Sequence, residues 1–206
     1  MALMSSYNSL SYSFIFYLLL VGGQCLTTAA LLEDVCRKAQ DQAFCLTLLG
    51  NDPRSRNADA PLLAQIALDL ASASAKATKP RIDSLHLYAK DPQLKTDLEQ
   101  CQKYYTDALN ALNNAVAYLK KADYRSLNVE AEDVYNGGHY CQDAFKPPKV
   151  SPLTNENNAL SNYADIIGVI SNMAYDHILD PGLGDKAECR TPRFELRLRR
   201  YSTIGG

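Results

Sequence analysis

From Leu94 to Leu119, apolar residues recur at alternating intervals of four and three: Leu94, Leu98, Cys101, Tyr105, Ala108, Leu112, Ala115 and Leu119. That spacing follows the period of an α-helix, not the two-residue period of a strand. A helix with one long apolar stripe gains its stability from whatever covers the stripe. The chain must therefore supply other helices to pack against it.

It does so on both sides. Between Pro61 and Tyr88 the apolar positions Leu63, Ile66, Leu70, Ala77, Leu85 and Tyr88 predict a helix, which Lys79-Pro80 should kink. Asp91-Pro92 then opens the central helix as a cap followed by proline at its first position. A third stripe runs through Leu127, Ala131, Val134, Gly138, Cys141 and Phe145, and Gly137-Gly138 permits close approach of a neighbour. The stretch KPPKVSP breaks that helix, and a fourth begins at Thr154 with Leu160, Tyr163, Ile167 and Ile170 inward. Four amphipathic helices with short links predict an all-α, up-down-up-down four-helix bundle. No stretch alternates as a strand would.

No charged side chain precedes Glu33, and the apolar run SFIFYLLLVGG spans residues 13–23. With small residues at Thr27 and Ala29, this has the outline of a cleaved secretory signal and is too short to cross a bilayer comfortably. The expected organisation is a signal at 1–30 and one domain at 31–179. Within that domain, 31–58 forms an N-terminal helical hairpin and 59–179 the bundle. Beyond Asp180 the sequence DPGLGDKAECRTPRFELRLRRYSTIGG has helix-stopping Pro181, Gly182 and Gly184 and no apolar period. Residues 180–206 read as a disordered basic tail, with Cys189 open to an intermolecular bridge in an otherwise monomeric protein.

Export turns an even set of cysteines into a disulfide framework. Cys101 and Cys141 lie near the middles of apolar stripes on consecutive antiparallel helices and should pair. Cys36 and Cys45, framing CRKAQDQAFC, then close the small helix-turn-helix before the bundle. The fold should thus carry two intrachain disulfides.

Little in the sequence points to catalysis. His86, His139 and His177 sit on three different helices without CxxC or HxxxH spacing, so no metal or other cofactor is expected. Bridged cysteines cannot supply a thiolate, and no GxSxG elbow is present. Glu130, Glu132 and Asp133 read as a solvated helix face. A formal charge of −2 gives no electrostatic case for nucleic acid. Tyrosine is abundant, and Tyr104, Tyr118, Tyr124, Tyr135 and Tyr140 lie beside the inner stripes, where tyrosine favours protein contacts.

The order and context of CRKAQDQAFC followed by LTLLGNDPRS, then LEQCQKYYTDALNAL, YCQDAF and SPLTNENNAL resemble the plant invertase and pectin methylesterase inhibitor family. The match runs from about Val35 to Ile178. Similarity is closest to the provisionally named invertase inhibitors of the plane-tree pollen allergen type. The resemblance implies the same disulfide pairs and a protein that turns over no substrate. It would instead occlude the active-site cleft of a partner enzyme, pectin methylesterase ahead of acid invertase. The implied location is the apoplast or cell wall, with the vacuole as alternative, and no membrane association after signal cleavage.

Invertase inhibitors of the best-described type carry a Pro-Lys-Phe wedge between the second and third bundle helices, where this chain reads KKADYRSLN. The wedge is absent. The expected contacts with a target are Asp123, Tyr124 and Arg125 in that loop, and Tyr104, Asp107, Asn114, Tyr118, Glu132 and Tyr135 on the helix faces. RFELRLRR in the tail could add a weak contact with anionic pectin by charge attraction. The reading from another class is a non-inhibitory bundle that binds a small ligand or a protein.

Overall fold

The computed structural model describes residues 27–179. They form α1 (Thr27–Lys38), α2 (Gln42–Asn51), a 3-10 turn (Pro53–Asn57), α3 (Ala60–Tyr88), α4 (Pro92–Leu119), α5 (Tyr124–Ala144) and α6 (Thr154–Leu179). Among the described residues there is no strand. The expectations for the leading segment and for 180–206 lie outside the described residues, and α1 begins at Thr27, ahead of the expected domain boundary at 31.

Aspartates start four of these helices. Asp41, Asp59, Asp91 and Asp123 each accept a hydrogen bond from a backbone N–H in the first turn, of Phe44, Leu62, Gln93 and Ser126 respectively. Each such cap contributes about 1 kcal/mol. Pro92 follows its cap directly and Pro61 one residue after its own, both in the first turn, where a missing N–H costs nothing.

The four long helices form a ring in which α3 packs on α4 and α6, and α5 packs on α4 and α6. Leu63, Ile66, Leu68 and Ile82 of α3, Leu98, Tyr105 and Leu112 of α4, Leu127 and Val134 of α5, and Leu160, Ile167 and Ile170 of α6 fill the interior. The α1–α2 hairpin is closed by the Cys36–Cys45 disulfide. It docks on α6 through the Gln40 N–H, which donates to Asp165 Oδ2 at 2.8 Å, and through an edge-to-face contact of Phe44 with Tyr163.

The stripe expected for α3 holds at Leu63, Ile66, Leu70 and Leu85 and fails at Ala77 and Tyr88. Ala71, Ala75, Thr78 and Ile82 face inward, whereas Ala77 and Tyr88 are exposed. Small residues on several faces of LASASAKAT leave the apolar direction undefined in the sequence. The helix also continues through Pro80, which lies on the exposed side. There the carbonyl deprived of its donor is free to meet water.

Candidate functional site

Two glycines set the spacing around α5. A Cβ added at Gly137 would lie 2.8 Å from Ala108 Cβ on α4, and one added at Gly138 would lie 2.6 Å from the Asn157 carbonyl oxygen on α6. Any side chain at either position would push α5 away from a neighbour. One turn on, the Cys101–Cys141 disulfide joins α4 to α5 with its Cα atoms 4.6 Å apart.

Behind this close approach lies a buried polar hub. The Tyr105 hydroxyl donates to Asn157 Oδ1 at 3.0 Å, and Asn157 Nδ2 donates to Gln142 Oε1 at 3.0 Å. One carboxamide therefore ties α4, α5 and α6 together. Burial pushes the Tyr105 phenol well above its ordinary pKa, with the Glu156 charge adding to the effect.

On the solvent side, α4 and α5 leave between them an open groove of about 560 Å³. Its lining repeats one spacing on both helices: Tyr104, Asp107, Ala111 and Asn114 from α4, and Glu130, Asp133, Gly137 and Tyr140 from α5. Asn110 and Asn136 complete it. Ala111 and Gly137 form a low floor between the polar residues. The walls carry three carboxylates, three carboxamides and two tyrosines, and no lysine or arginine. The rings of Tyr104 and Tyr140 meet across the groove with centroids 5.6 Å apart. Tyr140 also touches His139, whose ring stacks on Tyr135 and whose Nε2 lies 3.4 Å from Asp143 Oδ2.

The expected contact residues divide accordingly. Tyr104, Asp107 and Asn114 come together in the groove. Tyr118 and Tyr135 are half-buried against the core, and Glu132 is exposed but does not line the groove. Of the three contacts expected in the α4–α5 loop, only Arg125 is exposed to a partner. Asp123 is occupied as the cap of α5, and the hydrogen bonds from Ser126, helped by Lys121 and Arg125, hold its carboxyl below the usual range.

Tyr124 requires a correction, because it is only 7% exposed and its ring belongs to the core. Its position extends the inner stripe of Leu127, Ala131 and Val134 by one turn, so the same periodicity identifies it as interior. Burial, with Asp59 nearby, raises its pKa.

In the sequence Glu130 and Asp133 read as a solvated face, and no local motif there singles out Asn110 and Asn136. The usable signal was the polar and small stripe repeated at the same intervals on two helices that the disulfide pins side by side. Among the described residues no group of three or more His, Cys, Asp or Glu side chains is placed to hold a metal ion, and no helix is long and apolar enough to cross a membrane.

The family model for plant invertase/pectin methylesterase inhibitors matches residues 30–170. The chain belongs to that family. It is similar to the pectinesterase inhibitor of Actinidia deliciosa, with 39% identity over 145 residues, 69% of this chain and 78% of that protein. A Platanus acerifolia protein provisionally named as an invertase inhibitor is 32% identical over 72% of this chain and 88% of its own length. A crystal structure of a mutant pectin methylesterase inhibitor from Arabidopsis superimposes with a TM-score of 0.63 at 28% identity, covering 68% of this chain and 93% of that one. Both disulfides and the ring of four helices thus sit in a chain from a family of enzyme inhibitors.

Proposed function

We propose that this protein is an extracellular inhibitor of pectin methylesterase, and that it blocks the enzyme's cleft with the α4–α5 face. The observation that carries the choice of target is the burial of Tyr124. The α4–α5 loop turns that ring into the core, and its long exposed side chains, Lys120, Lys121 and Arg125, include no aromatic to wedge into a narrow active site. What remains on this side is the broad groove, rigidly held by the disulfide and by Gly137, and suited to covering a shallow cleft. The higher identity to the Actinidia pectinesterase inhibitor than to the Platanus relative supports the same choice. The groove's carboxylates, carboxamides and tyrosines are hydrogen-bonding groups for a polar partner surface with basic or amide side chains.

Inhibition of acid invertase is the second reading, carried by the Platanus relative. A paired assay separates them. The protein is titrated against a plant pectin methylesterase and a plant acid invertase across mildly acidic to neutral pH. Stoichiometric loss of esterase activity with invertase untouched is the expected result, and inhibition of invertase alone would overturn the proposal.

A further inference from the structure

The bundle end where α3 turns into α4 and α5 into α6 carries the three most exposed large apolar side chains among the described residues. Each connection there places large apolar side chains in water beside lysines. Leu87 and Tyr88, 71% and 76% exposed, end α3 just ahead of Lys90, and in the α5–α6 loop Lys146 and Lys149 precede Val150, 82% exposed. The loops are tied to each other by Lys149, whose Nζ lies 3.7 Å from Asp91 Oδ2 and 3.6 Å from the buried Asp97 Oδ2. Arg81 adds a second tie by donating to the Pro152 carbonyl at 3.1 Å.

The acids among these lysines are thereby engaged. Asp97 also accepts from Gln93, and Asp91 caps α4. Lys90, Lys95 and Lys146 are exposed and make no ion pair among the described residues. The result is an apolar patch bordered by unneutralised positive charge, at the end of the bundle and off the acidic groove. Its natural complement offers apolar surface and negative charge in alternation.

We propose that this end binds a partly methyl-esterified polyuronate chain. The choice of polymer rests on the reading that the target enzyme acts on pectin. In such a chain the C–H faces of the sugar rings and the methyl esters can lie on Tyr88, Leu87 and Val150, while the remaining free carboxylates meet Lys90, Lys95 and Lys146. An anionic lipid surface satisfies the same lysines less well. Burying Leu87 and Tyr88 in a headgroup layer would carry the exposed Asp91 in with them, whereas a polymer can run past it. Docking here would hold the inhibitor on the material its enzyme modifies and leave the α4–α5 face open.

The test is affinity electrophoresis of the full chain through gels containing partly esterified polyuronate, de-esterified polyuronate or a neutral glucan, at low and high salt. Sedimentation with vesicles containing phosphatidylserine runs beside it. The variants are Lys90→Glu/Lys146→Glu and Leu87→Ser/Tyr88→Ser, both at exposed positions, with melting curves to verify folding. The expected result is retardation by polyuronate that falls with salt and weakens roughly tenfold on charge reversal. The serine variant should lose most of its preference for the esterified polymer, and esterase inhibition should be unaffected by either pair. Equal retardation of wild type and variants, or binding to vesicles alone, would overturn the proposal. Should the wild type fail to inhibit the esterase while the variants still lose polymer retention, the choice of target enzyme falls and the polymer site stands.

Discussion

Gly137 of α5 sits so close to Ala108 of α4 that a single added carbon would lie 2.8 Å from the alanine's Cβ and 3.1 Å from the Tyr104 carbonyl. Gly137→Ala gains helix propensity of just under about 1 kcal/mol, but overpacking against a facing backbone costs about 1–3 kcal/mol. The net effect should be destabilising. Gly50, inside α2, has nothing within 4 Å of an added Cβ, so Gly50→Ala keeps only the favourable part. Denaturant melts should therefore move in opposite directions for the two substitutions. A stabilised Gly137→Ala variant would show that the helices have room to spare.

Ala122 closes α4 with φ of 54°, in the left-handed region that favours glycine. The Ala122 N–H donates to the Leu119 carbonyl and the Asp123 N–H to the Tyr118 carbonyl, the paired bonds of a Schellman ending. A β-carbon in that conformation costs about 1–2 kcal/mol. Ala122→Gly removes the cost while freeing the unfolded chain, so a gain of roughly 1 kcal/mol is expected. Thermal melting reads it directly, and a lowered Tm would mean that the turn is not held as described.

Tyr105 couples stability to alkaline pH. Its phenol is fully buried and its pKa is raised by burial, whereas in the unfolded chain it ionises near about 10. A raised folded-state pKa means that its contribution is complete below the unfolded value. It is lost progressively above that, because only the unfolded state sheds the proton. Tyr105→Phe should cost about 1–2 kcal/mol at neutral pH by stranding the Asn157 acceptor. It should also flatten the decline of stability above pH about 10. Identical alkaline slopes for both proteins would exclude Tyr105 as the group responsible.

How far the sequence reaches is clear from contrasting helices. On α4 and α5 large apolar residues and two cysteines fall on one stripe, so the inner faces and the disulfide partner of each helix can be read without coordinates. On α3 the alanine-rich segment carries no such contrast, and only the surrounding helices select Ala71, Ala75 and Thr78 as inward. The groove was hidden for a different reason. Asp133 and Asn136 have the composition of any wet helix face, and what sets them apart is the closeness that Gly137 allows to α4. That distance is a tertiary property.

The two disulfides should differ in weight. On the chain-entropy estimate a closed loop the length of Cys101–Cys141 contributes about 4 kcal/mol, and the short Cys36–Cys45 loop nearer 3. Cys101→Ala/Cys141→Ala should therefore lower Tm by roughly 8–16 °C at this chain size. It also releases α5 from α4 beside the groove, so inhibition should weaken at temperatures where the fold persists. A variant that melts like the wild type would mean the bridge adds nothing to the folded bundle.

Asp107 and Asp133 test the face itself, because both are exposed, face each other from α4 and α5, and hold no structural hydrogen bond. Reversing them in Asp107→Lys/Asp133→Lys leaves the core untouched, so the melting free energy should stay within about 0.5 kcal/mol for each site. If the groove docks on the esterase, two like charges placed at its centre cost several kcal/mol of complementarity and the inhibition constant should rise by about a hundredfold or more. The reciprocal control is Glu132→Lys, on α5 but outside the groove, which should inhibit nearly as well as the parent. An inhibition constant changed by Glu132→Lys and indifferent to the groove pair would move the docking face around α5, toward α6.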